Sequence, residues 1–247
     1  GQGTRMRSKL PKVAHQVAGL PMIAYVLEAC RALRAKRTLV VVGYQAERVR
    51  EALAGEAIEF VLQQEQRGTG HALLQTRQAL SGFDGDLLIL SGDTPLLTSE
   101  TLEGLVEAHR RARVKATILT AEVLDPTSYG RVVRDERGEL LRIVEEPEAT
   151  PQEREIREIN AGVYCFAAAP LIEALQALRP SSVKGELYLP DVVALLRERG
   201  GRVQAYRTAD PDEARGINSR AELAEVHRLL WRKTAARLLA EGITLLD

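Results

Sequence analysis

Gly1-Gln2-Gly3-Thr4-Arg5, followed by Pro11-Lys12, brings together residue types that can hold a polyphosphate. Glycine tolerates positive φ and has no Cβ, so backbone N–H groups can close on an anion, and Arg5 and Lys12 would supply compensating charge. Two glycines also suit a flexible terminus; the continuation to Pro11-Lys12 favours phosphate. A second candidate is Asp93, in Ser91-Gly92-Asp93-Thr94-Pro95, directly after an apolar run. At the carboxyl end of a parallel strand, where open α/β sheets bind ligands, a carboxylate suits a hard cation such as Mg²⁺. A turn aspartate ahead of a proline is the alternative. The third is LQQEQRGTGHA, which carries Gln63, Gln66, Gly68 and Thr69. A primary amide offers a donor beside an acceptor, a pattern that can match a uracil edge, although an ordinary polar loop has the same composition.

Other chemistries are disfavoured. His15, His71, His109 and His227 have no metal-ligand spacing, and Cys30 and Cys165 form no C-x-x-C pair, which argues against zinc. Both cysteines lie in apolar surroundings, as expected of reduced thiols in a cytoplasmic protein.

The elements that must position these residues alternate in type. From Pro21 onward, helix-period segments (PMIAYVLEACRALR, QAERVREALA, GHALLQTRQAL, SETLEGLVEAHRRAR) alternate with strand-like ones (TLVVV, IEFVLQ, DLLIL, ATILTAEV). This rhythm predicts an α/β fold with a mostly parallel sheet and helices on both faces. After Asp125 two short strands, RVVRD and LLRIVEE, flank the turn ERGE and predict a hairpin or lid laid over the sheet. VYCFAA and VQAYR resume as strands, with PLIEALQAL and PDVVALLRER as helices. The chain then closes on a long helix with Leu223, Val226, Leu230, Thr234 and Leu238 along one stripe and Gly242 as its stop.

With 247 residues, 45% of them hydrophobic, the chain can bury a core without staples and reads as a globular protein. Thirty-four basic residues balance 34 acidic ones, so no global field recruits nucleic acid or a membrane surface. Anion binding must be local. The apolar runs are strand-sized, far short of the roughly 20 residues that span a bilayer.

Taken in order, GQGTRMRSKLPK, QQEQRGTGHA, SGDTPLL, YGRVVR, RIVEE, EINAGVY, KGELYLPDV and GINSR resemble the pyrophosphorylase half of bacterial bifunctional N-acetylglucosamine-1-phosphate uridylyltransferases. The resemblance covers essentially the whole chain. It implies a Rossmann-like nucleotide-diphospho-sugar transferase fold with a smaller sugar-binding β lobe: residues 1–219 as the nucleotidyltransferase domain and 220–247 as a helix leading to a further domain. The implied reaction joins UTP and N-acetylglucosamine 1-phosphate with Mg²⁺ in the cytoplasm. Gly1, Gly3 and Arg5 would form the phosphate loop, and Lys12 would sit near the transferred phosphate. Gln63, Gln66, Gly68 and Thr69 would surround the uracil. Asp93 and Asn218 would hold Mg²⁺, and Gly130, Glu145 and Asn160 would contact the sugar.

Family members carry a short apolar strand directly before the position of Gly1, so a strand is expected to precede this sequence. In bifunctional members a β-helix of hexapeptide repeats follows the long helix, carries an acetyltransferase and builds a homotrimer. Acetyl transfer is therefore not expected of these residues, and trimerisation only of a form with that second domain. Two positions depart from the pattern: Ser91, where a tyrosine is frequent, and Pro190, where a threonine is common.

Overall fold

A computed structural model describes residues 3–245. The sequence after the opening loop folds back on itself in a two-residue ladder, β1 (Gln16–Val17) with β2 (Leu20–Pro21), and enters α1 (Met22–Arg31). The Val-rich run becomes β3 (Leu39–Val42), followed by α2 (Ala46–Ala52) and β4 (Glu59–Leu62), and β3 and β4 pair in parallel with Val40 opposite Phe60. Next come α3 (Thr69–Leu74), β5 (Asp86–Leu90), α4 (Ser99–Ala112) and β6 (Ala116–Glu122). Then follow β7 (Arg131–Arg134), β8 (Leu140–Val144), α5 (Pro151–Arg154), β9 (Glu158–Ala167) and α6 (Ala168–Ala177). The chain ends with α7 (Asp191–Glu198), β10 (Val203–Arg207) and α8 (Arg220–Ala240).

The larger sheet has the order β10-β6-β9-β7-β8, with β5 also on β9. Strands β5 and β6 both run antiparallel to β9, and β10 runs parallel to β6. Thus β5, β6, β7 and β10 share one direction, β9 and the edge strand β8 run the other way, and the β3–β4 pair stands apart as a second sheet. Six of the seven residues of β6 are buried because helices cover both its faces, so the run is apolar or Thr rather than alternating. On one face Ile118, Tyr164 and Phe166 pack with Leu171 of α6 and Val192 of α7. On the other, Leu119 and Val163 pack with Leu102 and Leu105 of α4.

Three expectations need correction. The β7–β8 hairpin does not lie over the sheet as a lid; it extends the sheet edge, with Arg131 opposite Ile159 of β9. The expected helix over 70–80 ends at Leu74, and the following residues turn. In α8 only Val226 is buried, with Leu223 and Leu230 packed beside it, while Thr234 is exposed. The apolar stripe therefore does its packing in the first turns of the helix. Those turns start sharply, because Ser219 accepts from the Glu222 N–H while the Glu222 carboxylate accepts from the Ser219 N–H. No helix among the described residues is long and apolar enough to cross a membrane.

Candidate active site

Lys12 opens a short 3-10 turn, Lys12–Ala14, and its stem lies against the backbone of Gly3. A Cβ on Gly3 would fall 2.8 Å from the Lys12 Cβ, and Gly3 has φ +63°, so glycine is required there for both space and conformation. Arg5, in the turn between them, is exposed. Gly1 lies outside the described residues.

Asp93 follows β5 by three residues, at the carboxyl end of that strand. Its backbone carbonyl accepts from the Ile217 N–H at 2.9 Å, which draws the segment before α8 against the loop after β5. The next residue, Asn218, donates its N–H to the Glu222 carboxylate. These two backbone bonds bring side chains from distant parts of the chain together. The Lys12 ammonium contacts the Asp93 carboxylate and donates to Asn218 Oδ1 at 3.0 Å. Gly216 leaves the approach open, since a Cβ there would stand 3.8 Å from Asn218 Nδ2 and 3.9 Å from the Asp93 carboxylate.

Gln63 and Gln66 flank the turn after β4. The Gln63 amide nitrogen donates to the Gly68 carbonyl at 3.2 Å and lies 3.0 Å from His71 Nδ1. That of Gln66 donates to the carbonyls of Gln63, at 3.1 Å, and Gln64, at 3.2 Å. An NH₂ group has two donors, so those of Gln66 are both used inside the loop, which reduces its expected donor and acceptor pair to the amide oxygen; Gln63 spends one donor on the Gly68 carbonyl. Gly68 has φ +103°, and a Cβ on it would lie 2.5 Å from the Leu187 carbonyl. Thr69 Oγ1 accepts from the Leu189 N–H at 3.0 Å. Gly68 and Thr69 therefore fasten this loop to the segment that leads into α7.

Gly130, Glu145 and Asn160 form a third group. A Cβ on Gly130 would meet Glu145 Oε1 at 3.4 Å and the Asn160 Cβ at 3.6 Å, and the Gly130 carbonyl accepts from the Asn160 N–H at 2.9 Å. Burial pushes the Glu145 carboxyl above its usual range, helped by Asp191 and opposed by Lys184. Asp191, the first residue of α7, is pushed up to about 6 by burial and the nearby Glu148. Behind the Gly130 turn, the buried Arg131 guanidinium donates to the Tyr129 carbonyl and to Glu146 Oε1.

Asn160 is held on both sides. Between Ile118 and Thr120 of β6 the register with β9 shifts, and Gly162 adopts φ +72° at the irregularity. The Gly162 N–H donates to Asn160 Oδ1 at 3.1 Å, and Asn160 Nδ2 donates to the Tyr164 hydroxyl at 2.6 Å. Ser91 donates to the Gly162 carbonyl at 3.2 Å, so the serine that departs from the family pattern ties the end of β5 to this bulge. The other departure, Pro190, is buried at the start of α7 and has no N–H to give that helix.

The structure thus sorts the sequence-predicted residues into three groups: Lys12, Asp93 and Asn218; Gln63, Gln66, Gly68 and Thr69; Gly130, Glu145 and Asn160. Sequence reading missed Tyr164, Gly162, Asp191 and Glu222. Tyr164 was accessible to it, because residues 160 and 164 share a face of a strand whose period is two. The bulge at Gly162 had no such signal.

The glycine-bearing loop before Lys12 thus lies beside Asp93 at the carboxyl end of β5, where open α/β sheets hold their ligands. Residues 1–211 match the nucleotidyl transferase family, and the chain belongs to it. Over 247 residues it is 50% identical to the bifunctional protein GlmU of Pelotomaculum thermopropionicum, covering all of this chain and 54% of that protein. Over 248 residues it is 46% identical to the bifunctional protein GlmU of Geobacter metallireducens, covering 52% of it. The chain therefore spans about half the length of the curated relatives it matches. Among solved structures, apo UDP-glucose pyrophosphorylase superposes with a TM-score of 0.73 at 17% identity, covering 95% of this chain and 96% of that one. UDP-glucose pyrophosphorylase complexed with UDP-glucose gives 0.70 at 17% identity, covering 94% and 96%. At that identity the likeness shows the shared fold.

Proposed function

We propose that the chain joins UTP and N-acetylglucosamine 1-phosphate, releasing pyrophosphate and forming UDP-N-acetylglucosamine, in the cytoplasm. The observation that carries this reading is the convergence of Lys12, Asp93 and Asn218 beside the Gly3 loop, with the Gly130, Glu145 and Asn160 pocket as a separate group. The GlmU relatives, about half of whose length the chain spans at 44–50% identity, support the family resemblance from which the nucleotide and sugar are taken.

A sugar 1-phosphate has a second pKa of about 6, by analogy with other phosphomonoesters, so its oxygen is ready to attack near neutral pH without a general base. The attack falls in line on the α-phosphorus of UTP, forming one P–O bond as the bond to pyrophosphate breaks. The chain's contribution is to position the reactants and stabilise charge. Lys12 and Arg5 would lie on the phosphate oxygens, with the amides of the Gly3 loop. An amide oxygen of the Gln63–Gln66 pair would accept from the one ring N–H of uracil. Glu145 and the Gly130 turn would receive the sugar hydroxyls, with Asn160 behind them.

Asp93 and Asn218 fit Mg²⁺ in kind: both are oxygen donors, and they already converge on one cationic group. Among the described residues no group of three His, Cys, Asp or Glu forms a complete cage, which suits an ion that takes its remaining ligands from phosphate and water. When bound, Mg²⁺ supplies charge neutralisation on the phosphate oxygens.

The test is pyrophosphate release from UTP and Mg²⁺ with N-acetylglucosamine 1-phosphate, against glucose 1-phosphate, glucosamine 1-phosphate and a dTTP series. Release selective for the N-acetylated sugar is expected. Preference for glucose 1-phosphate would overturn the sugar assignment. The dTTP series decides the base, because uracil and thymine share the edge that an amide oxygen reads and differ by a methyl worth about 1–3 kcal/mol.

A further inference from the structure

Lys12 has two positions to fill on the reading above, and the structure shows it in one of them. Its ammonium sits where Asp93 Oδ2 and Asn218 Oδ1 converge, the same two oxygens that would hold the metal. We infer that Lys12 is an internal counter-ion of the metal site: a divalent cation binds only by displacing it, and the displaced ammonium is thereby delivered to the phosphate loop. The inference rests on the metal role of Asp93 and Asn218 given under the proposed function.

The argument is one of shared lone pairs. An ammonium has three donors and no acceptor, so it holds the site only through those two oxygens. Mg²⁺ binds oxygen at about 2.0–2.1 Å and would use the same lone pairs. Two cations at that separation, with only one carboxylate between them, repel strongly in a partly desolvated site. The site is of that kind, with the Lys12 and Asp93 side chains 16% and 18% exposed.

Displacement does not send Lys12 away. Its stem packs on Gly3 and its backbone is held in the 3-10 turn Lys12–Ala14, so the freed ammonium stays beside the Gly3–Arg5 loop. Lysine suits this better than arginine, because its charge is compact and the end of its stem beyond the part packed on Gly3 can swing. The consequence is coupling: phosphate that captures the ammonium unmasks the metal oxygens, and metal that takes the oxygens releases the ammonium. By linkage each raises the affinity of the other.

The experiment is a Mn²⁺ titration of the chain without nucleotide, read by the electron paramagnetic resonance signal of free Mn²⁺. Wild type is compared with Lys12→Met, Lys12→Gln, Arg5→Ala and Asp93→Ala, each checked for folding by circular dichroism. Lys12→Met keeps an unbranched stem, and Lys12→Gln is the second variant if the first does not fold. Loss of the lysine is expected to tighten Mn²⁺ binding on the order of tenfold, within the range usual for coupled sites. Arg5→Ala removes a charge from the same loop without removing either contact, and should leave Mn²⁺ affinity within about twofold, below that range. Asp93→Ala should abolish binding. Equal or weaker binding by both lysine variants overturns the displacement, as does equal tightening in Arg5→Ala, and the metal reading survives either result. Unchanged Mn²⁺ binding in Asp93→Ala overturns the metal reading and this inference with it.

Discussion

Asn160 donates to the Tyr164 hydroxyl at 2.6 Å from the same face of β9, four residues away. Asn160 is 9% exposed and Tyr164 is 4% exposed, so the bond is largely shielded from water. Tyr164→Phe keeps the ring and removes the acceptor. A buried donor left unpaired costs about 1–3 kcal/mol, so the melting temperature should fall. If Asn160 serves the sugar, KM for the sugar 1-phosphate should rise several-fold with little change in KM for UTP. A variant with lower stability and unaltered KM would reduce Tyr164 to a structural residue.

Asp191 makes stability pH-dependent. Its carboxyl is pushed from 3.8 to about 6 in the folded chain by burial first and Glu148 second. Between those values the folded state holds a proton that the unfolded state has lost, so stability falls as pH rises from 4 to 6 and stays lower above that. Two full units would correspond to about 3 kcal/mol, and solvent screening of this partly exposed carboxyl brings the loss below that. Asp191→Asn should therefore be more stable than wild type at pH 7.5 and nearly equal to it at pH 4. Thermal melts across this range check the idea, and parallel curves for the two proteins would sink it.

How much of this was legible in the sequence depended on whether the signal was local. Period and turn chemistry gave the element sequence of the sheet, because β6 and α4 carry their patterns within their own lengths. They could not give the reversed direction of β9 or the separate β3–β4 pair, which depend on strand pairing across long stretches of chain. How far along α8 the stripe packs is hidden for a related reason. A stripe shows which face can pack, and the neighbour that stops after Val226 belongs to another part of the chain. Among site residues, Asp93 was marked by its strand end. Asn218 is a candidate through resemblance alone, since nothing local marks an asparagine placed by Ile217 and Glu222. The use of both Gln66 donors within its own loop is likewise invisible without the fold.

Gly162→Ala meets two obstacles. The residue has φ +72°, which costs an L-residue roughly 1–2 kcal/mol. The new methyl would also lie 2.7 Å from Ser91 Oγ, a contact that something must relieve. The variant should be destabilised by about 2 kcal/mol or more. Ser91→Ala in the same chain removes the clashing oxygen and should restore part of the loss, leaving the backbone cost. Equal stability of the single and double variants in urea would show that Ser91 does not limit this position.

Glu213 fastens the two loops that bring Asp93 and Asn218 together. It is buried, and its Oε1 accepts from the Thr98 hydroxyl at 3.1 Å, while Thr98 in turn accepts from the Thr101 N–H at the start of α4. At the other end of the same two loops Ile217 donates to the Asp93 carbonyl. Segments 93–98 and 213–218 are thus clasped twice, and the Asp93–Asn218 spacing depends on both clasps. Glu213→Ala should cost about 1–3 kcal/mol through the Thr98 hydroxyl it strands. On the metal role proposed for Asp93 and Asn218, it should also weaken Mn²⁺ binding several-fold, because the two oxygens no longer converge unaided. Glu213→Gln keeps an acceptor at Oε1 and gives the second position, where the buried Oε2 has no partner among the described residues, a polar group without charge. It should bind Mn²⁺ like wild type. If Glu213→Ala melts lower yet binds Mn²⁺ as tightly as wild type, the clasp stabilises the fold without setting the metal site.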